Sequence, residues 1–278
     1  MGIKVIHSRE LEEEHNEEGV DVMSVEFFGH SYIGKKRRMN EDQYLCLDLS
    51  GEARKKWRPL NLLAVADGVG GQAGGAMASS LAIDSLQEFV RHRLKESGPF
   101  LRFQEILEQS FLEANRRVFQ KASENGIFTG MGTTLVAALI HKNKAIVSNV
   151  GDSRIYHVRE GTMRQISHDH SWAAEQIRLK ILSERDIRNS PFKSVITRSL
   201  GIASQIQTDT FQVRLNEEDY LLLCSDGLHS ALSDGEMLEV FKKYKRPEEI
   251  CLQLIESADH QGSQDNVTAV VAFYHGNN

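Results

Sequence analysis

Residues 133–163 read TTLVAALIHKNKAIVSNVGDSRIYHVREGTM. Three runs in it, TTLVAALI (133–140), KAIVSNV (144–150) and SRIYHVR (153–159), have strand character, and only short polar links separate them. A parallel crossover needs a dozen residues or more, so links this short predict antiparallel neighbours. The rest of the chain is arranged in similar blocks. SVEFFGHSYIG (24–34), QYLCLDL (43–49) and NLLAVAD (61–67) are strand-like, and two long helical stretches follow. One helix carries Ala78, Leu81, Ala82, Leu86, Phe89, Val90 and Leu94 on one face; the other carries Phe103, Leu107, Phe111, Ala114 and Val118. Beyond a charged helical insert near 171–190 come TDTFQVRL (208–215) and DYLLLCSD (219–226). Two helices, near 234–243 and from Pro247, precede a closing strand, NVTAVVAFY (266–274). Blocks of this kind predict an α+β fold, with sheets packed on sheets and helices outside, rather than a doubly wound parallel sheet.

The 278 residues suffice for one large domain or two small ones. There is no internal repeat, and the four prolines mark no boundary. The net charge of −6 lacks the basic footprint of a nucleic-acid binder, and no apolar run approaches the ~20 residues that span a bilayer. Cys46, Cys224 and Cys251 are few, odd in number and widely spaced. They read as reduced, buried thiols of a cytoplasmic protein, without a disulfide framework or zinc knuckle. Residues 1–22, with Glu10, Glu12, Glu13, Glu14, Glu17 and Glu18, read as an acidic solvated tail, with a partner-binding arm as the alternative. Their early acidity does not suit a signal peptide, and Ile6 does not suit a myristoylation signal.

Carboxylates recur where strands end. LLAVADG places Asp67 there, IVSNVGD places Asp152, and YLLLCSDG places Asp226. QDNVTAVVAF puts Asp265 just before its strand, and NEDQYLCL does the same for Glu41 and Asp42. Removing one ionised carboxylate from water costs several kcal/mol unless it is paired, and the neighbouring positions offer no matching set of lysines and arginines. All-oxygen clusters of this kind suit hard divalent ions such as Mg²⁺ or Mn²⁺. A lone Asp-Gly is more often a turn, but helix-like sequence rather than a second strand follows Asp67 and Asp226. Residues 68–73, GVGGQA, also fit a dinucleotide fingerprint. Against that stand the charge of Asp67 beside the glycines, Glu88 lying within a continuing helix, and the antiparallel neighbours.

Eight stretches, in order, carry a resemblance: GKKRRMNED (34–42), AVADGVGGQAGGAMAS (64–79), GMGTTLVAAL (130–139), NVGDSRIY (149–156), SHDHSW (167–172), VITRSLG (195–201), LLCSDGLHSALSD (222–234) and GSQDNVTAVV (262–271). Together they resemble the motif series of the type 2C metal-dependent serine/threonine protein phosphatases, in their compact bacterial form. The resemblance implies a domain over 23–276 with the fold of an α–β–β–α four-layer sandwich: two antiparallel sheets flanked by helices, with a small helical flap insert at about 168–193. It further implies two divalent ions, Mn²⁺ or Mg²⁺, and a third, weaker one. Asp67 would bridge the two ions and the Gly68 carbonyl would ligate one of them. Asp226 and Asp265 would complete the first, Glu41 and Asp42 would support the second, and Asp152 with Asp226 would offer the third position. Asp67 would end its strand, Gly68 would turn the backbone, and the next helix would begin near Ala76.

Two ions on a shared carboxylate would bring a bridging water toward neutral pKa, giving hydroxide for in-line attack on phosphorus. Arg37 would grip the substrate phosphate with its fork, while Lys35, Lys36 and Arg38 form a solvated rim. The implied partners are phosphorylated proteins that are substrates of a Ser/Thr kinase; no nucleic acid or membrane is implied, and the chain is expected to be a monomer. Val69 stands where many eukaryotic members carry a histidine proposed as general acid. Ser230 replaces an aspartate common in the family, which would weaken the third ion site, and Lys180 replaces a glycine often found in the insert. The histidines of HDHSW lack a third zinc ligand, so Asp169 or Ser171 reads as a helix N-cap; His30 and His229 read as packed or polar residues. A catalytically inactive binding module is the alternative, but it would have shed acidic ligands that are all present here.

Overall fold

The computed structural model describes residues 23–52, 59–70, 72–96, 102–124, 126, 128–187 and 190–276; the acidic tail lies outside the described residues. The chain runs β1 (Ser24–Tyr32), β2 (Asp42–Asp48), β3 (Leu60–Val69), α1 (Gln72–Glu96), α2 (Phe103–Ser123), β4 (Gly132–Thr133), β5 (Leu135–His141), β6 (Lys144–Val150) and β7 (Arg154–Arg159). It continues through β8 (Thr162–Gln165), α3 (Trp172–Arg178), α4 (Glu184–Ile187), β9 (Asp209–Arg214), β10 (Tyr220–Cys224), α5 (Asp226–His229), α6 (Asp234–Lys243), α7 (Pro247–His260) and β11 (Val267–His275). One sheet has the order β1-β11-β10-β7-β8 and the other β2-β3-β5-β6-β9, with β4 paired to the end of β3. The pairings are antiparallel, as the short links predict.

Consecutive apolar residues in β3 follow from burial on both faces. Leu63 and Val65 point between the sheets, where they meet Val136, Ala138, Leu221, Leu223, Val270 and Ala272. Leu62, Ala64 and Ala66 point outward beneath Leu86, Val90, Phe111 and Val118 of α1 and α2. Across the sandwich, Tyr220, Leu222 and Cys224 pack beneath Met237, Phe241, Ile250 and Leu254 of α6 and α7. Each fully buried leucine contributes roughly 1.5–3 kcal/mol, so both helical stripes are core, in a four-layer α–β–β–α arrangement. All three cysteines are free thiols; Cys224 and Cys251 are buried and Cys46 is half-buried. Among the described residues, no helix is long and apolar enough to cross a membrane.

Three local expectations need correction. β6 and β7 are not neighbours: the three residues between them carry the chain from one sheet to the other. Gly151 makes that corner possible, with φ +106° and a site where a Cβ would lie 2.6 Å from the Thr134 side chain. Nor does β3 end at Asp67. It continues to Val69, because Gly68 and Val69 pair with Thr133 and Gly132, and the backbone turns at Gly70, with φ +122°. Finally, α1 begins at Gln72, about one turn ahead of Ala76. Its glycines are accommodated by close packing: a Cβ on Gly68 would lie 2.1 Å from the Gly75 carbonyl oxygen, and one on Gly75 would lie 2.6 Å from Glu41 Oε1.

The insert holds α3 and α4. Ser171 caps α3, its Oγ accepting from Ala174 N at 3.3 Å, while Asp169 instead pairs with Arg154 at 2.7 Å. Lys180, in the turn after α3, has φ +58°. A residue with a Cβ is strained there by about 1–2 kcal/mol, against a smaller entropic cost for glycine. We predict that Lys180→Gly stabilises this turn by about 0.5–1 kcal/mol, seen as slower amide exchange at Ile181 and Leu182; unchanged or faster exchange would refute it.

Candidate metal centre

The ends of β3 and β10, the starts of β2 and β11, and the β6–β7 corner meet at one end of the sandwich. They bring Asp67, Asp226, Asp42, Asp265 and Asp152 into one electrostatic cluster, with Glu41 at its edge. Asp42 lies directly opposite Asp67 in the β2–β3 register, a placement that costs stability for two like charges. Burial, then Asp42, Asp226, Asp152 and Asp265, push the Asp67 carboxyl well above the usual carboxylate range. Asp67 nonetheless keeps some solvent access, as the floor of a cleft should.

Polar residues beside the acids hold them in place. Asp42 Oδ2 accepts from Ser225 Oγ at 2.7 Å and Thr268 Oγ1 at 2.6 Å. These bonds only partly offset burial, so the Asp42 carboxyl is raised to about 7, with Asp226 and Asp265 adding to the rise. Asp67 is fixed through its backbone: its N–H donates to Thr134 Oγ1 at 2.9 Å, and its carbonyl accepts from Thr134 N at 2.8 Å and Thr133 Oγ1 at 2.9 Å. Asp226 is raised by burial, then by Asp265, with Asp67 beside it acting in the opposite sense. Burial, then Asp226 and Asp169, raise Asp152 to about 7. The Asp152 carbonyl accepts from His229 Nε2 at 3.0 Å. Burial, then Arg154, push that imidazole down to about 4.

The loop between β1 and β2 closes the mouth. Asn266 accepts from Glu41 N at 2.8 Å and donates to the carbonyls of Ile33 (2.7 Å) and Met39 (3.1 Å). Lys35 pairs with Asp259 at 2.9 Å, Lys36 donates to Gln264, and Arg37 pairs with Asp265. The rim is therefore stitched to the end of α7 through Lys35 and to the loop before β11 through Lys36 and Arg37. Arg37 stands at the mouth, with its side chain 45% exposed. Asp265, next to Asn266 and bonded to its N–H at 2.8 Å, is half-buried. Ser230 is the exposed C-cap residue of α5.

A hard cation suits this donor set. Glu41 Oε1, Asp42 Oδ1 and Asp226 Oδ1 are buried without a hydrogen-bond partner, and each unmet acceptor costs about 1–3 kcal/mol. Among the described residues, no three His, Cys, Asp or Glu side chains make a closed shell by themselves. The fit therefore depends on backbone carbonyl and water oxygens as well, which is ordinary for Mg²⁺ and Mn²⁺. Sequence reasoning named the acids but missed Thr134, Ser225, Asn266, Thr268 and His229 as their supports. The available signal was a Ser, Thr or Asn within a few residues of the acids, as in CSD and DNVT; Thr134 lies far from them in sequence and offered none.

The raised carboxyls make stability depend on pH. Their protonated forms are favoured in the fold, so this contribution is full below the unfolded pKa near 4 and is lost as pH rises through about 7. His229, with its lowered pKa, acts in the opposite sense but only below about 6.5. With EDTA, the Tm should therefore fall between pH 6.5 and 8, and Asp42→Asn should flatten that slope. A Tm that is level across this window in the chelated wild type would contradict the account.

The chain is similar to known proteins over most of its length. The family model described as protein phosphatase 2C matches residues 28–267. A serine/threonine phosphatase stp of Listeria innocua is 36% identical over 213 residues, covering 76% of this chain and 83% of that protein. The crystal structure of the serine/threonine phosphatase Stp1 from Staphylococcus aureus aligns with TM-score 0.79 at 30% identity, covering 92% of this chain and 96% of that one. The catalytic domain of the phosphatase PstP, solved in complex with two manganese ions, aligns with TM-score 0.77 at 28% identity, covering 91% and 100%. The chain belongs to the protein phosphatase 2C family and is a bacterial-type protein serine/threonine phosphatase.

Proposed function

We propose that the domain over 23–276 hydrolyses phosphoserine and phosphothreonine in protein substrates of a Ser/Thr kinase, using two divalent ions held at this carboxylate cluster. The observation that carries the reading is the set of buried, unpartnered oxygens on Asp42 and Asp226 beside Asp67, with that of Glu41 at the edge of the cluster. Asp67 would be shared between the ions, with the Gly68 carbonyl, Asp226 and Asp265 on one side and Glu41 and Asp42 on the other. Asp152 would serve a third, weaker ion. The PstP domain with two manganese ions supports the stoichiometry by similarity. When bound, such ions neutralise the cluster and acidify water for attack on phosphorus.

The chain's own residues do the rest. Thr133, Thr134, Ser225 and Thr268 fix the acids from behind, so little reorganisation is needed when charge develops. Arg37 orients the phosphate: its planar fork can pair with two oxygens, and Asp265 holds it at the mouth. Val69 has no proton to give, and His229 Nε2 is committed to the Asp152 carbonyl, so neither supplies the proton of the leaving oxygen. The flap over 168–193 borders this site through its contacts with Gly151.

Phosphate release from a phosphothreonine peptide and from p-nitrophenyl phosphate should require Mn²⁺ or Mg²⁺ and vanish with EDTA. Asp67→Asn and Asp226→Asn should each lose several orders of magnitude in kcat. Arg37→Ala should raise KM for p-nitrophenyl phosphate roughly 10–100-fold, since a charge-assisted hydrogen bond is worth about 1.5–3 kcal/mol. Turnover that survives complete chelation, or near-normal kcat in Asp67→Asn, would overturn the reading.

A further inference from the structure

His170 is nearly inaccessible, 1% exposed, yet it lies between two segments that differ in character. On one side is the Gly151–Asp152 corner. The His170 N–H donates to the Gly151 carbonyl at 2.9 Å, and the Gly151 N–H donates to His170 Nδ1 at 3.1 Å. On the other side is the return strand of the flap, where Thr197 N donates to the His170 carbonyl at 2.8 Å. Because Nδ1 accepts from Gly151, a neutral ring carries its proton on Nε2, which lies between Asp209 Oδ2 at 3.4 Å and Arg198 Nη1 at 3.3 Å. Arg198 anchors the same carboxylate from Nη1 at 3.2 Å.

The corner it grips is closely packed on its other side, with no room for a side chain at Gly151. Gly151 holds φ +106° and is pressed against Thr134, the residue that fixes the backbone of Asp67. Asp152 is pinned again by His229 at its carbonyl. The flap is equally tied at its base: Trp172 N bonds the Val195 carbonyl at 2.8 Å, and Thr197 Oγ1 donates to Glu175 at 2.6 Å. His170 is thus the residue whose backbone and ring together join the two ends of the flap to the corner that presents Asp152.

We infer that His170 is a positioning residue that couples the base of the flap to the Gly151–Asp152 corner, and so sets how Asp152 faces the carboxylate cluster. This rests on the reading of Asp152 as an ion ligand. The test uses the full chain with His170→Leu, which keeps bulk but removes both ring bonds, and His170→Asn, whose amide oxygen can still accept from Gly151. In EDTA, His170→Leu should speed amide exchange in both 149–153 and 195–199, while His170→Asn should leave 149–153 close to wild type.

With Mn²⁺ added, the concentration giving half-maximal p-nitrophenyl phosphate hydrolysis should rise roughly 10–100-fold in His170→Leu, the usual range for losing a support behind a ligand. KM for that substrate at saturating Mn²⁺ should stay about unchanged. Faster exchange in only one segment, no change in either, or identical behaviour of the two variants would overturn the proposal. If His170→Leu fails to fold, Asp209→Asn, which loosens His170 Nε2 and Arg198 but leaves the Nδ1 bond to Gly151, must quicken exchange in 195–199 while 149–153 stays close to wild type, or the proposal falls. Asp152→Asn separates the two ideas. If it leaves the Mn²⁺ dependence unaltered, Asp152 is no ion ligand, while the exchange result still decides the coupling.

Discussion

Mutual repulsion among carboxylates that the backbone cannot separate is the constraint on which this structure turns. Asp42 and Asp67 face each other across a strand pair, and Asp226, Asp152 and Asp265 add like charge from the other sheet and from its corner. Strand ends within a packed sandwich yield little, because Leu63, Val65, Leu221 and Leu223 pack the two sheets together behind them. Two responses remain: some carboxyls take up protons, or cations enter. The unpartnered oxygens on Asp42, Asp226 and Glu41 are what the proposed function assigns to the second. Stability and function are therefore opposed here, with the sandwich supplying the rigidity that keeps an unfavourable cluster assembled.

The same constraint accounts for the glycines. Gly68 and Gly75 let the end of β3 and the start of α1 touch, which brings Glu41 beneath the helix. Gly227 has a similar role on the other sheet, where a Cβ would lie 2.0 Å from the Asn266 carbonyl oxygen. In each case the missing side chain makes room for backbone beside an acid. The small residues that give the stretch its likeness to a dinucleotide loop thus have a different cause, and a similar physical one: close approach of main chain to a charged centre.

Much of this was legible in the sequence because it is written in local patterns. Unbroken apolar runs marked strands buried on both faces, stripes at helical spacing marked α1 and α2, and acids at the ends of those runs marked the cluster. What stayed hidden depends on distant partners. The GDS link gave no sign that it changes sheets, since the corner needs Thr134 and His170 around Gly151. The continuation of β3 to Val69 depends on Gly132 and Thr133, over sixty residues away in the chain. The supports Ser225, Thr268 and Asn266 are ordinary polar residues until the fold sets them against Asp42 and Glu41.

The central claim is that this cluster is built for cations shared at Asp67. Crystals grown in Mn²⁺ and measured at the manganese absorption edge test it most directly. The account predicts two strong anomalous peaks flanking Asp67, within bonding distance of the Asp226 and Asp265 carboxylates on one side, with the oxygens of Glu41 and Asp42 turned toward the other. Peaks elsewhere on the molecule, or a cluster without anomalous signal at saturating Mn²⁺, would contradict it.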